Sequence, residues 1–167
     1  MQRLAEVIDN FNDRLGRIVA WAGLVMVVTG VAIVLLRYGF DQGSAALQES
    51  MLWLNGILIL LGAAYALRHD AHVRVDVWYR RLSMRGQAWI NLAGTLLLLW
   101  PFCAALFWFC LDYVTASWKI YEGSQETGGL PGIFVLKTLL LVMPLLLALQ
   151  GLAMALRSLH QLRGTQQ

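Results

Sequence analysis

Four long stretches without a charged residue are the feature that most constrains the fold of this 167-residue chain. They occupy residues 18–36, 51–67, 88–111 and 138–156. About 20 consecutive apolar residues in a helix cross the ~30 Å hydrocarbon core of a bilayer. Backbone groups in lipid must pair within their own segment, and none of the stretches alternates in polarity as a barrel strand does. We therefore expect four membrane-spanning helices and an all-α membrane protein.

The composition excludes other classes of protein. Hydrophobic residues make up 59% of the chain and charged residues 14%, whereas a soluble domain has about 45–50% and about 25%. This composition is incompatible with intrinsic disorder. It also argues against a nucleic-acid partner, even though the formal net charge is +3.

Lysine and arginine residues divide unevenly between the two sides of the predicted spans. Residues 1–17, the link between the second and third spans and residues 157–167 share one side and hold ten of the thirteen. Because cytoplasmic segments are enriched in Lys and Arg, we expect both termini in the cytoplasm. The ten residues are Arg3, Arg14, Arg17, Arg68, Arg74, Arg80, Arg81, Arg85, Arg157 and Arg163.

Three segments follow from this layout: a helix at residues 1–17, a transmembrane domain at 18–156 and a cytoplasmic tail at 157–167. The first segment is expected to form an amphipathic helix at the cytoplasmic interface, lying on lipid or packed against a partner. Its apolar side chains recur at four- and three-residue steps, which places them on one face. They are Leu4, Ile8, Phe11, Leu15 and Ile18.

The link between the second and third spans is strongly basic. We expect a short interfacial helix at about residues 76–82, because a lone short strand would have nothing to pair with. Its arginines would contact phospholipid headgroups, which makes phospholipid an expected partner. The candidate headgroup contacts are Arg74, Arg80, Arg81 and Arg85.

The four spans contain no acidic, basic or histidine residue. Ionisable residues inside a membrane are the usual mark of a transport or catalytic site. The three histidines, His69, His72 and His160, fall in cytoplasmic segments, which excludes a bis-histidine haem inside the bilayer. We therefore expect no catalytic residue, no metal site and no cofactor in this chain.

A few polar and aromatic residues are candidates for partner contacts or structural roles. Arg37 follows the first span, and Glu49 precedes the second with Trp53 close by. Arg37 and Glu49 either form an ion pair between two helix ends or simply mark the water boundary. Asn55 and Gln150 are neutral amides within spans, and such groups usually bind another helix, at about 0.6 kcal/mol or somewhat more each.

The link between the third and fourth spans has turn-forming residues at 127–132. Pro131, within this turn, is expected to begin the helix of the fourth span. Lys137 is expected to extend to the outer headgroups. The outer links contain more acidic than basic residues, which fits either solvated loops or a docking surface. Pro101 and Pro144 are expected to bend their helices.

Several motifs, taken in order, resemble the small membrane subunit of tripartite ATP-independent periplasmic (TRAP) transporters, the DctQ family. The resemblance extends from about residue 14 to residue 157. Its motifs are Leu36-Arg37-Tyr38-Gly39-Phe40, Glu49 with Trp53, Leu61-Gly62-Ala63-Ala64-Tyr65-Ala66-Leu67-Arg68, His72-Val73-Arg74-Val75-Asp76, Gly128-Gly129-Leu130-Pro131, Lys137, Pro144 and Leu149-Gln150-Gly151.

The resemblance implies an accessory scaffold in a bacterial inner membrane. A large permease subunit would hold the substrate and coupling-ion sites, the ion being sodium, and a periplasmic binding protein would deliver an organic acid. Tyr121, Glu122 and Glu126 are then candidates for docking the binding protein. Two alternatives stay open: a membrane-anchor subunit of a redox enzyme complex, and a small transporter that assembles from copies of this chain.

Overall fold

A computed structural model describes residues 2–71, 79 and 82–164. This part of the chain is helical and contains no β-strand. Four helical units are long and apolar enough to cross a membrane, so the predicted all-α fold with four spans is confirmed. The elements are α1 (Gln2–Gly39), α2 (Ala45–Arg68), α3 (Met84–Gly94), a π-helical turn (Thr95–Leu99), α4 (Trp100–Lys119) and α5 (Ile133–Gly164).

Each helical unit extends beyond its apolar stretch, because a charged residue ends an apolar run without ending a helix. The largest difference is at the N-terminus, where residues 1–17 were expected to form a separate interfacial helix. The described part of that segment is instead the first half of α1, which runs unbroken from Gln2 to Gly39. No proline interrupts it, and a single glycine such as Gly16 disfavours a helix by only about 1 kcal/mol.

The central helix is α5, which contacts α1, α2, α3 and α4. Of its most apolar stretch 39% is buried, against 6–11% for the other three spans. The start of α1, the ends of α2 and α5 and the start of α3 lie together, and we call this the basic end of the bundle. The opposite end holds the loop between α1 and α2 and the loop at residues 120–132, the α4–α5 loop.

The apolar face predicted for the start of α1 is mostly exposed. Leu4, Phe11 and Ile18 are at least half exposed, and of the predicted face Ile8 is buried. The buried face carries small and polar side chains, among them Ala5, Asp9, Asn12 and Gly16. The reason is that small residues let α1 approach α2 and α5 closely, while α5 supplies polar partners for the acid and the amide.

The third span changes its helical geometry just before Pro101. Trp100 donates its backbone N–H to Thr95 O, which is a π-type hydrogen bond, and α4 then begins with the proline in its first turn. Since proline has no N–H to continue the α-helical ladder, the wider turn accommodates it. The turn packs on Gly151, where an added Cβ would lie 2.8 Å from Leu99 Cδ2. Pro144 does not end α5.

The predicted headgroup contacts Arg74, Arg80 and Arg81 lie outside the described residues, as does most of the predicted interfacial helix at 76–82. Arg85 is exposed in the first turn of α3, at the basic end. Ser83 caps that helix, since its hydroxyl accepts the Gly86 N–H at 3.3 Å.

Candidate functional site

A chain of polar contacts joins α1 to α5 at the basic end. Gln150 is fully buried, and its amide oxygen accepts from Asn12 Nδ2 at 2.7 Å. Its own Nε2 donates to Asp9 Oδ1 at 2.9 Å. The second carboxylate oxygen of Asp9 accepts from Arg157, two turns beyond Gln150 on α5. The amide in the fourth span thus binds α1, a helix of the same chain.

A second set of contacts joins α1 to the end of α2. Asp13 Oδ1 lies 2.6 Å from Arg68 Nη1 and 2.8 Å from His69 Nε2. Arg68 also donates to the backbone carbonyl of Asp9, which links the two sets. Together Asp9, Asn12, Asp13, Arg68, His69, Gln150 and Arg157 form what we call the basic-end cluster.

The basic-end cluster is suited to holding helices together. Asp9 faces Arg157, and Asp13 faces Arg68, so each carboxylate of the cluster has a cation and each arginine a carboxylate. Paired charges of this kind fix three helices relative to one another.

Sequence reasoning missed most of this cluster. The spacing of Asp9, Asn12, Asp13 and Gly16 places them on one helical face, but the prediction for this segment rested only on its apolar face. The signal that could have found them was Gln150 inside an apolar stretch: a buried amide needs polar partners on a facing helix. Asn12 and Asp9 were available for that role.

A groove with a polar and an apolar chamber adjoins the basic-end cluster. The polar chamber, of about 370 Å³, is lined by Asp9, Arg68 and Arg157. The apolar chamber, of about 460 Å³, lies between α3, the π-helical turn and α5. Both chambers are lined by Leu67, Tyr79, Asn91 and Met154. Such a combination suits a molecule with a charged head and an aliphatic tail.

At the opposite end, Glu49 binds the α4–α5 loop. One of its oxygens accepts from the Ser124 hydroxyl, and the other accepts from the Leu130 N–H at 2.6 Å. A Cβ at Gly129 would lie 2.8 Å from Glu49 Oε1, so this turn requires a glycine there. The interpretation that Glu49 pairs with Arg37 is therefore wrong: Arg37 is exposed at the end of α1, while Glu49 is directed to the loop.

A second ion pair holds the other side of the same loop. Lys137 Nζ lies 2.5 Å from Glu122 Oε2 and 4.0 Å from the centre of the Tyr113 ring. The Lys137 side chain is only 14% exposed. The expectation that it extends to the outer headgroups is therefore wrong. The carboxylate and aromatic partners of Lys137 belong to the same chain, which is why the ammonium turns toward Glu122 and Tyr113.

Acidification is expected to loosen the α4–α5 loop. The Lys137 ammonium donates to Glu122 and holds the pKa of that carboxyl below its ordinary value of 4.5. A carboxylate whose pKa is lowered by folding stabilises the fold above its unfolded-state pKa, and the contribution is lost as pH falls through the lowered value. Amide hydrogen exchange of residues 120–132, corrected for the intrinsic pH effect, should therefore accelerate in acid.

Glu122→Gln is expected to give fast exchange in this loop at neutral pH as well, since it removes the charge at every pH. Glu126→Gln is the matched control, because Glu126 is exposed and its side chain makes no ion pair among the described residues. Equal protection of the loop in Glu122→Gln and the unmodified protein at pH 7 would contradict this account.

The other residues singled out from the sequence lie outside the basic-end cluster. Tyr121 is 73% exposed beside the Glu122–Lys137 pair, with a left-handed backbone at φ 47°. Trp53 is half-buried in α2, and Asn55 is exposed on the same helix. The structure thus brings Glu49, Glu122 and Gln150 into contacts within the chain and leaves Arg37 and Asn55 at the surface.

The described residues contain no group of three or more His, Cys, Asp or Glu side chains that could hold a metal ion. The sequence matches the family model described as tripartite ATP-independent periplasmic transporters, DctQ component, over residues 14–161. No curated protein and no solved structure matches the chain. Because the family match covers most of a four-span helical chain, this protein belongs to the DctQ family, the small permease component of TRAP transporters.

Proposed function

We propose that this chain is the accessory scaffold subunit of a TRAP transporter and pairs in the membrane with the large permease subunit. The observation that carries the proposal is where the charges lie. The four apolar stretches have no charged residue, and the charged groups of the basic-end cluster pair with one another. A chain built this way stabilises helices but offers no charged group inside the bilayer for binding an ion or an anionic solute.

The partner supplies the chemistry in this proposal. The large subunit holds the substrate and coupling-ion sites, the ion being sodium, and uptake of an organic acid follows the ion gradient. Both termini of the small subunit lie in the cytoplasm and the basic end faces the cytoplasm, which is supported by the Lys and Arg distribution. The membrane is then the bacterial inner membrane, and the α4–α5 loop faces the periplasm.

Affinity purification from native membranes tests the pairing. A tag after Gln167 should recover a larger multi-span membrane protein in a fixed molar ratio in mild detergent. Recovery of the chain alone, with the permease solubilised in the same extract, would contradict the proposal. Recovery of a redox enzyme with a haem absorption spectrum would favour the membrane-anchor alternative.

We also propose that the α4–α5 loop forms part of the surface on which the periplasmic binding protein lands. The loop is held from both sides, by Glu49 and by Lys137, while Ile120, Tyr121 and Glu126 remain exposed. A rigid loop that presents an aromatic ring and a free carboxylate loses little entropy when a partner binds.

Glu126→Lys is expected to weaken binding-protein docking by about threefold to tenfold at low salt, with a smaller effect at high salt, because a rim charge acts mainly on association rate. The measurement is binding of the periplasmic protein to the reconstituted complex. Thr127→Ala, a neutral change in the same turn, is the control. Glu122 is unsuitable for this test since its loss disrupts the Lys137 pair. Unchanged binding of the periplasmic protein to the Glu126→Lys complex would contradict the proposal that the α4–α5 loop is part of its docking surface.

Phospholipid is the ligand we propose for the groove at the basic end. Its polar chamber lies beside Arg68 and Arg157, and its apolar chamber extends along the spanning helices. Arg85 is exposed on the same end and is available to headgroups. Native mass spectrometry of the purified complex tests this: retained phospholipid should be reduced when Leu98→Trp narrows the apolar chamber.

A further inference from the structure

The second helix exposes one narrow row of side chains. In α2 the exposed residues are Gln48, Leu52, Asn55 and Ile59, and every other residue of this helix is buried or half-buried. Their steps of four, three and four residues place them on a single helical ridge. We call this ridge the α2 stripe.

Asn55 lies inside the uncharged stretch of the second spanning helix. At ~1.5 Å per residue it is about 15 Å from Ala45 and about 20 Å from Arg68, the two ends of α2. It is about 9 Å along the helix from Glu49 and about 6 Å beyond Met51, where the uncharged stretch begins, so it lies inside the ~30 Å hydrocarbon core but closer to the α4–α5 loop than to the basic end. Among the described residues the Asn55 side chain has no hydrogen-bond partner, and lipid chains provide none.

The stripe points away from the rest of the bundle. Gly56, next to Asn55, faces α5, since a Cβ there would lie 3.3 Å from Leu136 Cδ1. The exposed middle part of α1 is different in character. Its large exposed side chains are apolar, among them Leu24, Val28 and Val31. That surface is compatible with lipid, whereas an amide inside the hydrocarbon core requires another polar group.

We infer that the α2 stripe is the contact with a membrane helix of the large permease subunit, which presents a hydrogen-bonding group to the Asn55 amide. The inference rests on the proposed function and adds the face through which the two subunits meet. Leu52 and Ile59 flank the amide and supply apolar contact. A neutral amide in such a seam sets the register of two helices, since only one alignment satisfies it.

Site-specific photocrosslinking in the complete transporter tests the location. A benzophenone side chain at Leu52 or Ile59 is expected to crosslink to the permease, at least about fivefold more than one at Val28 on the apolar surface of α1. The inference would be overturned if the probes at Leu52 and Ile59 crosslinked only to a second copy of this chain or only to lipid. It would also be overturned if the probe at Val28 alone reached the permease. If the permease is absent from the purified complex, the proposed function itself fails.

Substitution of Asn55 tests the chemistry. N55L is expected to lower retention of the permease during a detergent wash by about threefold or more, the effect of one interhelical hydrogen bond. N55Q should retain most of the permease, because it keeps an amide. I59V, an apolar change on the same stripe, should retain nearly all of the permease. Thermal unfolding of the isolated chain should be unchanged by N55L, which separates loss of contact from misfolding. Full retention by N55L would overturn the inference.

Discussion

Gly16→Ala is expected to lower the stability of the protein by about 1–3 kcal/mol, the usual cost of forcing extra volume into a packed interface. A Cβ at Gly16 would lie 2.3–2.6 Å from three carbon atoms of the Tyr65 side chain, including Tyr65 Cβ. The ring cannot easily move aside, because its centre lies 4.3 Å from that of His69. His69 in turn contacts Asp13 of the basic-end cluster.

Thermal unfolding in detergent measures this effect, and Gly62→Ala is the matched control. Gly62 also lies in a spanning helix, but no atom would lie within 4 Å of a Cβ there. Alanine favours a helix over glycine by about 1 kcal/mol, so the control should be neutral or stabilising. Equal melting temperatures for the two variants would show that α1 and α2 do not meet at Gly16.

Gln150→Leu is expected to destabilise the contact between α1 and α5 strongly. The leucine would leave Asn12 Nδ2 and Asp9 Oδ1 without the partners they have now. Each buried polar group left without a hydrogen-bond partner lowers the free energy of unfolding by about 1–3 kcal/mol. The measurable results are a lower melting temperature and faster proteolysis of the first half of α1.

The double variant Asn12→Leu with Gln150→Leu should recover part of the loss, because removing both amides leaves fewer groups unsatisfied. Asp9 would still be paired with Arg157 in both variants. A melting temperature for Gln150→Leu equal to that of the unmodified protein would contradict the role given to the basic-end cluster.

The fold was largely predictable because the bilayer imposes it. An uncharged stretch such as 88–111 has few alternatives to a helix in lipid. What could not be predicted was where the helices end, since charge and turn propensity are separate signals. The first seventeen residues illustrate this: their charges indicated an interface, yet the helix continues through them.

The candidate site was predicted less well, because contacts across the sequence depend on the direction of each side chain. Gln150 was expected to bind another helix, and in the structure its amide accepts a hydrogen bond from Asn12 of α1. For Glu49 the sequence left two possibilities, an ion pair with Arg37 or a mark of the water boundary, but its partners Ser124 and Leu130 lie far along the chain. No local pattern indicates such a long-range contact.

The two ends of the bundle have different tasks in the proposed function. The basic-end cluster fixes α1, α2 and α5 to one another. The contacts of Glu49 and Lys137 hold the α4–α5 loop. Between the ends, the α2 stripe carries the Asn55 amide, through which we infer that the permease is bound. In the proposed function this chain is a static subunit that supports a permease that moves.

Solute uptake into proteoliposomes tests the central claim most directly. Vesicles should contain this chain alone, the large permease subunit alone, or both, each with the periplasmic binding protein and an inward sodium gradient. We expect uptake of an organic acid only with both subunits present. Uptake by this chain alone, or undiminished uptake by the large subunit without it, would contradict the account.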